Sequence, residues 1–434
     1  MRRHLPLALA AAVLLAGSVG AAATLAAEPR TLHVPADFAT LPDAIAASAT
    51  GDVILLAPGT YPGDVEVPEG KGGITIRGEN RNTVVFDGED TRSDAIEVEA
   101  DGVTLENMSA HSFVENGFYW DGVQDYAGRY LTVWNVGLYG IYAISSRGGI
   151  IEQSYVSGAA DAAFYIGECN PCDATVRNVS AVLSAVGYSG TNAGGNLVVE
   201  GSTWDRNSVG ILPNSFDVGL QPPPQRSAIF RGNTVTGSGT VPTPRGTPLG
   251  GFHGIGIGVL GGLENTVTEN DVTGSARYGI AVMTAIDLQT SWVPSQNRIM
   301  GNRVSGSGIA DLALAEGAGA QNCFEANTVG TSAPANLAAG GCSETGTGDA
   351  TVATQIVLPP PQLLAGLPEA PSYTTMPAPA DQPTMPDAPA GPVAGSGPSL
   401  VLIGVGAAAA IALLAAAALV LHGRRASQPG APRS

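Results

Sequence analysis

From residue 31 to about residue 350 the chain repeats itself, and the length of the repeat allows very few folds. One recurring feature is a short apolar run around a polar residue. It aligns Asn107, Tyr130, Gln153, Asn178 and Gly201 at intervals of 23, 23, 25 and 23. Later members, RGNTV, TENDV, MGNRV and EANTV, carry Asn233, Asn270, Asn302 and Asn327. A second feature, a small residue followed by apolar ones, is anchored at Gly117, Gly140, Ala163, Gly187, Gly210, Gly254 and Gly279. So short a coil cannot bury its own apolar face, so it must stack on copies of itself as a solenoid. Its β-type runs then pair in parallel with the next coil about 4.8 Å away, and like residues form ladders. Stacked Asn amides hydrogen-bond along such a ladder, each worth about 1 kcal/mol net. The Leu pattern of leucine-rich repeats is missing, and a β-sandwich would not hold the register.

Composition agrees. The chain has 58 Gly and 31 Pro in 434 residues, about a fifth of the total against roughly 12% in average proteins. Turns are frequent and long helices are not. The net charge of −18 excludes nucleic acid as a natural partner.

The two ends give an address. Residues 1–26 read as a signal peptide: Arg2 and Arg3 precede an apolar run that ends in small residues. General secretion is expected, since Pro6 sits where a twin-arginine signal prefers an apolar residue. Residues 399–422 read as one transmembrane helix, with an uncharged run from Leu400 to Leu421. Arg424 and Arg425 follow it, so residues 423–434 form a cytoplasmic tail and the rest lies outside. Residues 358–398 hold 12 Pro and little periodicity, which predicts a disordered, extended stalk. The tail resembles those of sortase substrates, but Leu367-Pro368-Glu369-Ala370-Pro371 departs from LPxTG. The expected location is therefore the cell membrane, single-pass, with the ectodomain (residues 27–357) extracellular.

Solenoid ends expose strand edges and need covers. Thr40-Leu41-Pro42-Asp43 predicts a short capping helix with Phe38, Leu41 and Ile45 on one face, stopped by Gly51 and followed by a strand over Asp52–Leu56. This opening, with APGTY (57–61), GITIRGE (73–79) and VVFDG (84–88), resembles the pectin-lyase-like right-handed parallel β-helix proteins. The resemblance covers residues 31–345 or so. It implies an all-β, single-stranded right-handed parallel β-helix of about ten coils.

All four cysteines lie in the exported part, where an even count reads as disulfides. Cys323 with Cys342 would close a loop at the C-terminal end; Cys169 with Cys172 would be a local bridge in a turn, and pairings across the two groups stay open. No metal site is expected. The ectodomain histidines His33, His111 and His253 are widely separated, which argues against the function of the β-helical periplasmic copper-delivery proteins.

Length changes concentrate at one corner of the coil, where loops on a rigid solenoid carry binding and catalysis. Those loops are 121–126, 169–173, 214–225 and 287–295, the last with Trp292. Beside them Tyr119, Tyr142 and Tyr165 recur every 23 residues. Phe118, Ile141 and Phe164 take the inward positions, so the tyrosines face outward as a stack on which sugar rings could pack. Asp121, Asp125, Glu168, Asp173 and Asp217 are the acidic residues nearby, and Arg129 and Arg226 the arginines. The resemblance implies that a lyase would need calcium ligands and a base, and a glycosidase a carboxylate pair. Yet Phe252-His253-Gly254 stands where polygalacturonases have GHG and Arg298-Ile299-Met300 where they have RIK, and no DD, NTD or pectate-lyase RxPxxR occurs. No catalytic residue carries over and no cofactor is evident, calcium being the one compatible with the acidic loops. The expectation is a surface protein that binds, and can process, a cell-envelope polysaccharide. Its carbohydrate-binding candidates are Tyr119, Tyr142, Tyr165, Asp121, Asp125, Glu168, Asp217 and Trp292. The alternatives are a non-catalytic adhesion protein and a carbohydrate lyase, epimerase or hydrolase with an unfamiliar site.

Overall fold

The structure, a computed structural model, describes residues 28–245, 253–286, 290–352, 355–356 and 369–386. The expected signal peptide, transmembrane helix and cytoplasmic tail lie outside these residues. Among the described residues no helix is long and apolar enough to cross a membrane.

Three long sheets form the body, with 13, 11 and 11 strands. Each coil contributes one strand to each in the order A, B, C, as in Thr104–Glu106, Ser109–Phe113 and Asn116–Asp121, followed one coil later by Ala127–Arg129, Thr132–Val136 and Ile141–Ile144. Strand pairing along the solenoid is parallel, apart from the antiparallel last pair, Cys323–Glu325 with Gly341–Cys342, and like residues align, for example Phe118↔Ile141↔Phe164↔Tyr188↔Ile211. That column is fully buried and forms part of one continuous apolar core. The chain is thus a parallel β-helix.

The small-residue column has a steric cause. At the turn from sheet B into sheet C the backbone passes over the sheet-B side chains. A Cβ on Gly117, Gly210 or Gly279 would sit 2.7, 2.5 or 2.2 Å from a methyl of Val133, Val235 or Val304. Ala163 is tolerated where the aligned sheet-B residue shrinks to Ala181, between Val156 and Trp204. One assignment changes: register with Gly210 places Gly256, not Gly254, in the column.

The Asn column divides in two. Asn107, Tyr130, Gln153, Asn178 and Gly201 hold positive φ (50 to 59°) at the turn from sheet A into sheet B. Asn233, Asn270, Asn302 and Asn327 occupy the next position, turned inward; the positive φ passes to Gly232, Glu269, Gly301 and Ala326. Each inward amide donates to the Oδ1 of the next, at 3.0, 3.0 and 2.9 Å, and the backbone N–H donates to the same oxygen. A second ladder, unforeseen in the sequence, runs Gln225, Asn265, Asn297, Asn322 at the turn from C into A.

The capping helix, Leu41–Ala47, begins at Thr40, whose hydroxyl accepts from the Asp43 N–H, and buries Leu41, Ala44 and Ile45. It ends at Ser48; Gly51, at φ 91°, instead makes the turn into Val53–Leu56. Disulfides join Cys169 to Cys172 and Cys323 to Cys342.

The expectation of a free stalk fails for residues 369–386, which lie back along the solenoid. Tyr373 sits against Gly137 and Met376 against Gly158. Asn135 donates to the Met376 carbonyl at 3.0 Å, Asn82 pairs with the Gln382 backbone, Arg81 donates to the Pro383 carbonyl, and Asn107 accepts from the Met385 N–H at 2.8 Å. The reason is that Pro removes donors but leaves carbonyls, and side-chain amides at the coil corners are placed to donate to them.

Candidate functional site

The outer face of sheet C gathers most of the expected residues. Register aligns Glu66, Glu97, Tyr119, Tyr142 and Tyr165 in one outward column. Alternation along the strand sets this direction, with Phe118 and Trp120 buried on either side of Tyr119. The tyrosines do form a stack: Tyr119 and Tyr142 lie at 4.7 Å and 20°. The stack is less open than expected, however. Tyr119 and Tyr142 are half-buried and Tyr165 is only 4% exposed, because Tyr139 packs against both Tyr142 and Tyr165 at 4.4 and 5.1 Å. The rings occupy each other's faces, so the column presents mainly edges and hydroxyls.

At its N-terminal end the column turns acidic. Tyr119 Oη donates to Asp121 Oδ2 at 2.9 Å. Burial, then the charges of Asp94, Glu99, Asp121 and Glu66, raise Glu97 to about 7. Asp94, which accepts from the Asn116 side chain at 2.7 Å, is raised to about 6, mainly by burial. Burial and the neighbouring carboxylate push the Tyr119 hydroxyl well up, so it acts as a donor. The site therefore holds a carboxyl that exchanges a proton near neutral pH next to a hydroxyl donor and an exposed carboxylate. Such a set can bind hydroxyl-rich ligands and move protons on them. Glu66, Asp94, Glu97 and Tyr139 were not picked out from the sequence; the tyrosine spacing of 23 extended back from Tyr119 lands on the buried Ile96, because the preceding coil is one residue shorter and pairs Glu97 with Tyr119.

The corner from sheet C into sheet A carries the remaining candidates, spread apart. Glu168 is buried and accepts from the Gln221 N–H at 2.8 Å and from Asn192 Nδ2; burial raises it to about 7. The loop after Asn214 thus folds over Glu168, leaving Asp217 exposed on its outer side. Asp125 is exposed at a positive-φ corner position. Trp292 belongs to a small separate hairpin, Ala285–Ile286 with Ser291–Trp292, and packs on a second apolar cluster. The structure does not bring Asp125, Asp217 and Trp292 to the tyrosine column.

Among the described residues one group of three metal-ligating side chains comes together, Cys323, Glu325 and Cys342, with ligand atoms within 4.8 Å of one another, and its two sulfurs are joined as a disulfide.

No family model and no curated protein matches the sequence. Among solved structures, an alginate lyase from Paenibacillus sp. is similar with a TM-score of 0.45 and 15% identity, over 62% of this chain and 95% of that one. The A-module of a mannuronan C-5 epimerase from Azotobacter vinelandii gives 0.42 and 13%, over 66% and 88%. A rhamnogalacturonan lyase gives 0.42 and 12%, over 66% and 84%. The assignment of the fold rests on the strand order of this chain, not on these distant likenesses.

Proposed function

We propose that this protein is a membrane-anchored cell-surface β-helix that binds, and can process, a polysaccharide on the outer face of sheet C. The observation that supports it most is the in-register column Glu66, Glu97, Tyr119, Tyr142, with Tyr119 hydrogen-bonded to Asp121. A parallel sheet offers a track for an extended chain, and hydroxyl and carboxyl groups along it match sugar hydroxyls. Glu97, raised to about 7, supplies the proton exchange that acid–base cleavage or epimerisation needs at neutral pH. The reading of the two ends of the sequence as signal peptide and membrane span supports the address outside the membrane. Self-stacking of the tyrosines supports the second reading, a structural surface protein without a sugar site.

Screening the full chain in mild detergent against a glycan array tests the proposal. Retention of a polysaccharide, lost in the Tyr119→Ala, Tyr142→Ala double variant, supports it. Retention of none supports the structural reading. Release of unsaturated uronate or new reducing ends, abolished by Glu97→Gln, marks an enzyme.

A further inference from the structure

Arg81 is a buried cation without an anion. It is 2% exposed, and among the described residues it forms no ion pair. Its guanidinium spends three donations on carbonyls, those of Leu131, Gln153 and Pro383, while its Nε–H has no partner. A guanidinium carries five N–H donors, so two are left over. Burial pulls it down to about 10, the expected direction for a charge held without compensation. Leaving a buried charge unpaired costs several kcal/mol, which an arriving anion would offset.

Arg81 also lines a cleft of about 290 Å³ at the corner from sheet A into sheet B, away from the sheet-C face. One wall is built from successive coils, with Tyr130, Tyr155, Asn178 and Thr203; the other is the returning segment, with Gln382 and Pro383. Among the described residues no Asp or Glu lines it, although the protein is strongly acidic overall. Its surface is mostly hydroxyl and amide, which suits a ligand that is hydroxylated as well as anionic.

We propose that this corner cleft is a binding site for a hydroxylated carboxylate, a free sugar acid or a uronic residue within a glycan, with Arg81 as the counter-charge and the segment around Gln382 as its second wall. The site is independent of the sheet-C proposal. It explains why a cation is buried in an acidic protein at the point where residues 369–386 close over the coils.

The test is calorimetric titration of the full chain in mild detergent with glucuronate, with glucose, and with a glucuronate oligomer. Hydrogen bonds to a charged group differ from neutral ones by enough to predict that glucose binds at least about tenfold more weakly than the acid. Because Arg81→Met alters a buried residue and tests folding as well as binding, the wall variants Tyr155→Ala and Asn178→Ala are titrated too. Each should weaken binding several-fold with an unchanged circular dichroism spectrum, whereas Ile309→Ala, an exposed position outside both the cleft and the sheet-C column, should leave it intact. Binding of both monomer and oligomer assigns a free sugar acid, and binding of the oligomer alone assigns a residue within a glycan. Equal binding of glucose and glucuronate, unchanged binding in the wall variants, or no binding of either acid at about 10 mM overturns the proposal.

Discussion

Asn82 and Gln382, 300 residues apart, meet as two peptide groups would. The Asn82 side-chain amide donates to the Gln382 carbonyl at 2.9 Å and accepts from the Gln382 N–H at 2.9 Å. This pairing holds a Pro-rich segment against the solenoid without reading any of its side chains. Asn82→Ala should remove both bonds, each worth about 1 kcal/mol. Amide exchange at Gln382 and Met385 should rise about tenfold while the melting temperature of the solenoid stays nearly constant. Unchanged protection would mean that the other contacts suffice.

The small-residue column predicts a rescue. Gly279→Ala forces a Cβ to within 2.2 Å of Val304 and should destabilise by about 1–3 kcal/mol, seen as a lower denaturation midpoint in urea. Adding Val304→Ala should recover part of the loss, because Ala163 and Ala181 already coexist in this way.

The amide ladder predicts an asymmetric loss. Asn270 donates to the Phe230 carbonyl and to Asn302, and accepts from Asn233. Asn270→Ala strands buried partners on both sides and should cost about 2–4 kcal/mol in the same titration. An exposed neighbour such as Glu269, changed to Gln, should cost almost nothing.

Stability should fall as pH rises through neutrality. Glu97 and Glu168, each raised to about 7, and Asp94, raised to about 6, keep protons in the fold that they lose when unfolded near their ordinary values. Between those values the native state binds more protons, so ∂ΔG/∂pH is negative there. The melting temperature should be higher at pH 5.5 than at pH 8, and Glu97→Gln with Glu168→Gln should flatten the difference.

Much of this was legible in the sequence, and the exceptions have physical causes. The period and the small-residue column could be read because Val133, Val235 and their equivalents exclude a Cβ on every coil but the one where Ala181 makes room for Ala163. The Asn alignment slipped by one because two adjacent positions both favour Asn, one for its tolerance of positive φ and one for its amide. Tyr119, Tyr142 and Tyr165 were placed on the outer face by alternation, but the burial of Tyr165 depends on Tyr139, which lies outside the spacing. Docking of residues 369–386 had no signature, since most of its hydrogen bonds to the solenoid use its backbone and a Pro-rich composition reads as a linker.

The central claim is that the sheet-C face holds the polysaccharide, and affinity electrophoresis tests it most directly. The full chain is run through gels containing the polysaccharide that the array selects, beside the Tyr119→Ala, Tyr142→Ala double variant and Asp217→Ala, which lies on the far side of the covering loop. The account predicts that the parent and Asp217→Ala are retarded equally and that the double variant migrates freely. Equal retardation of all three would contradict it.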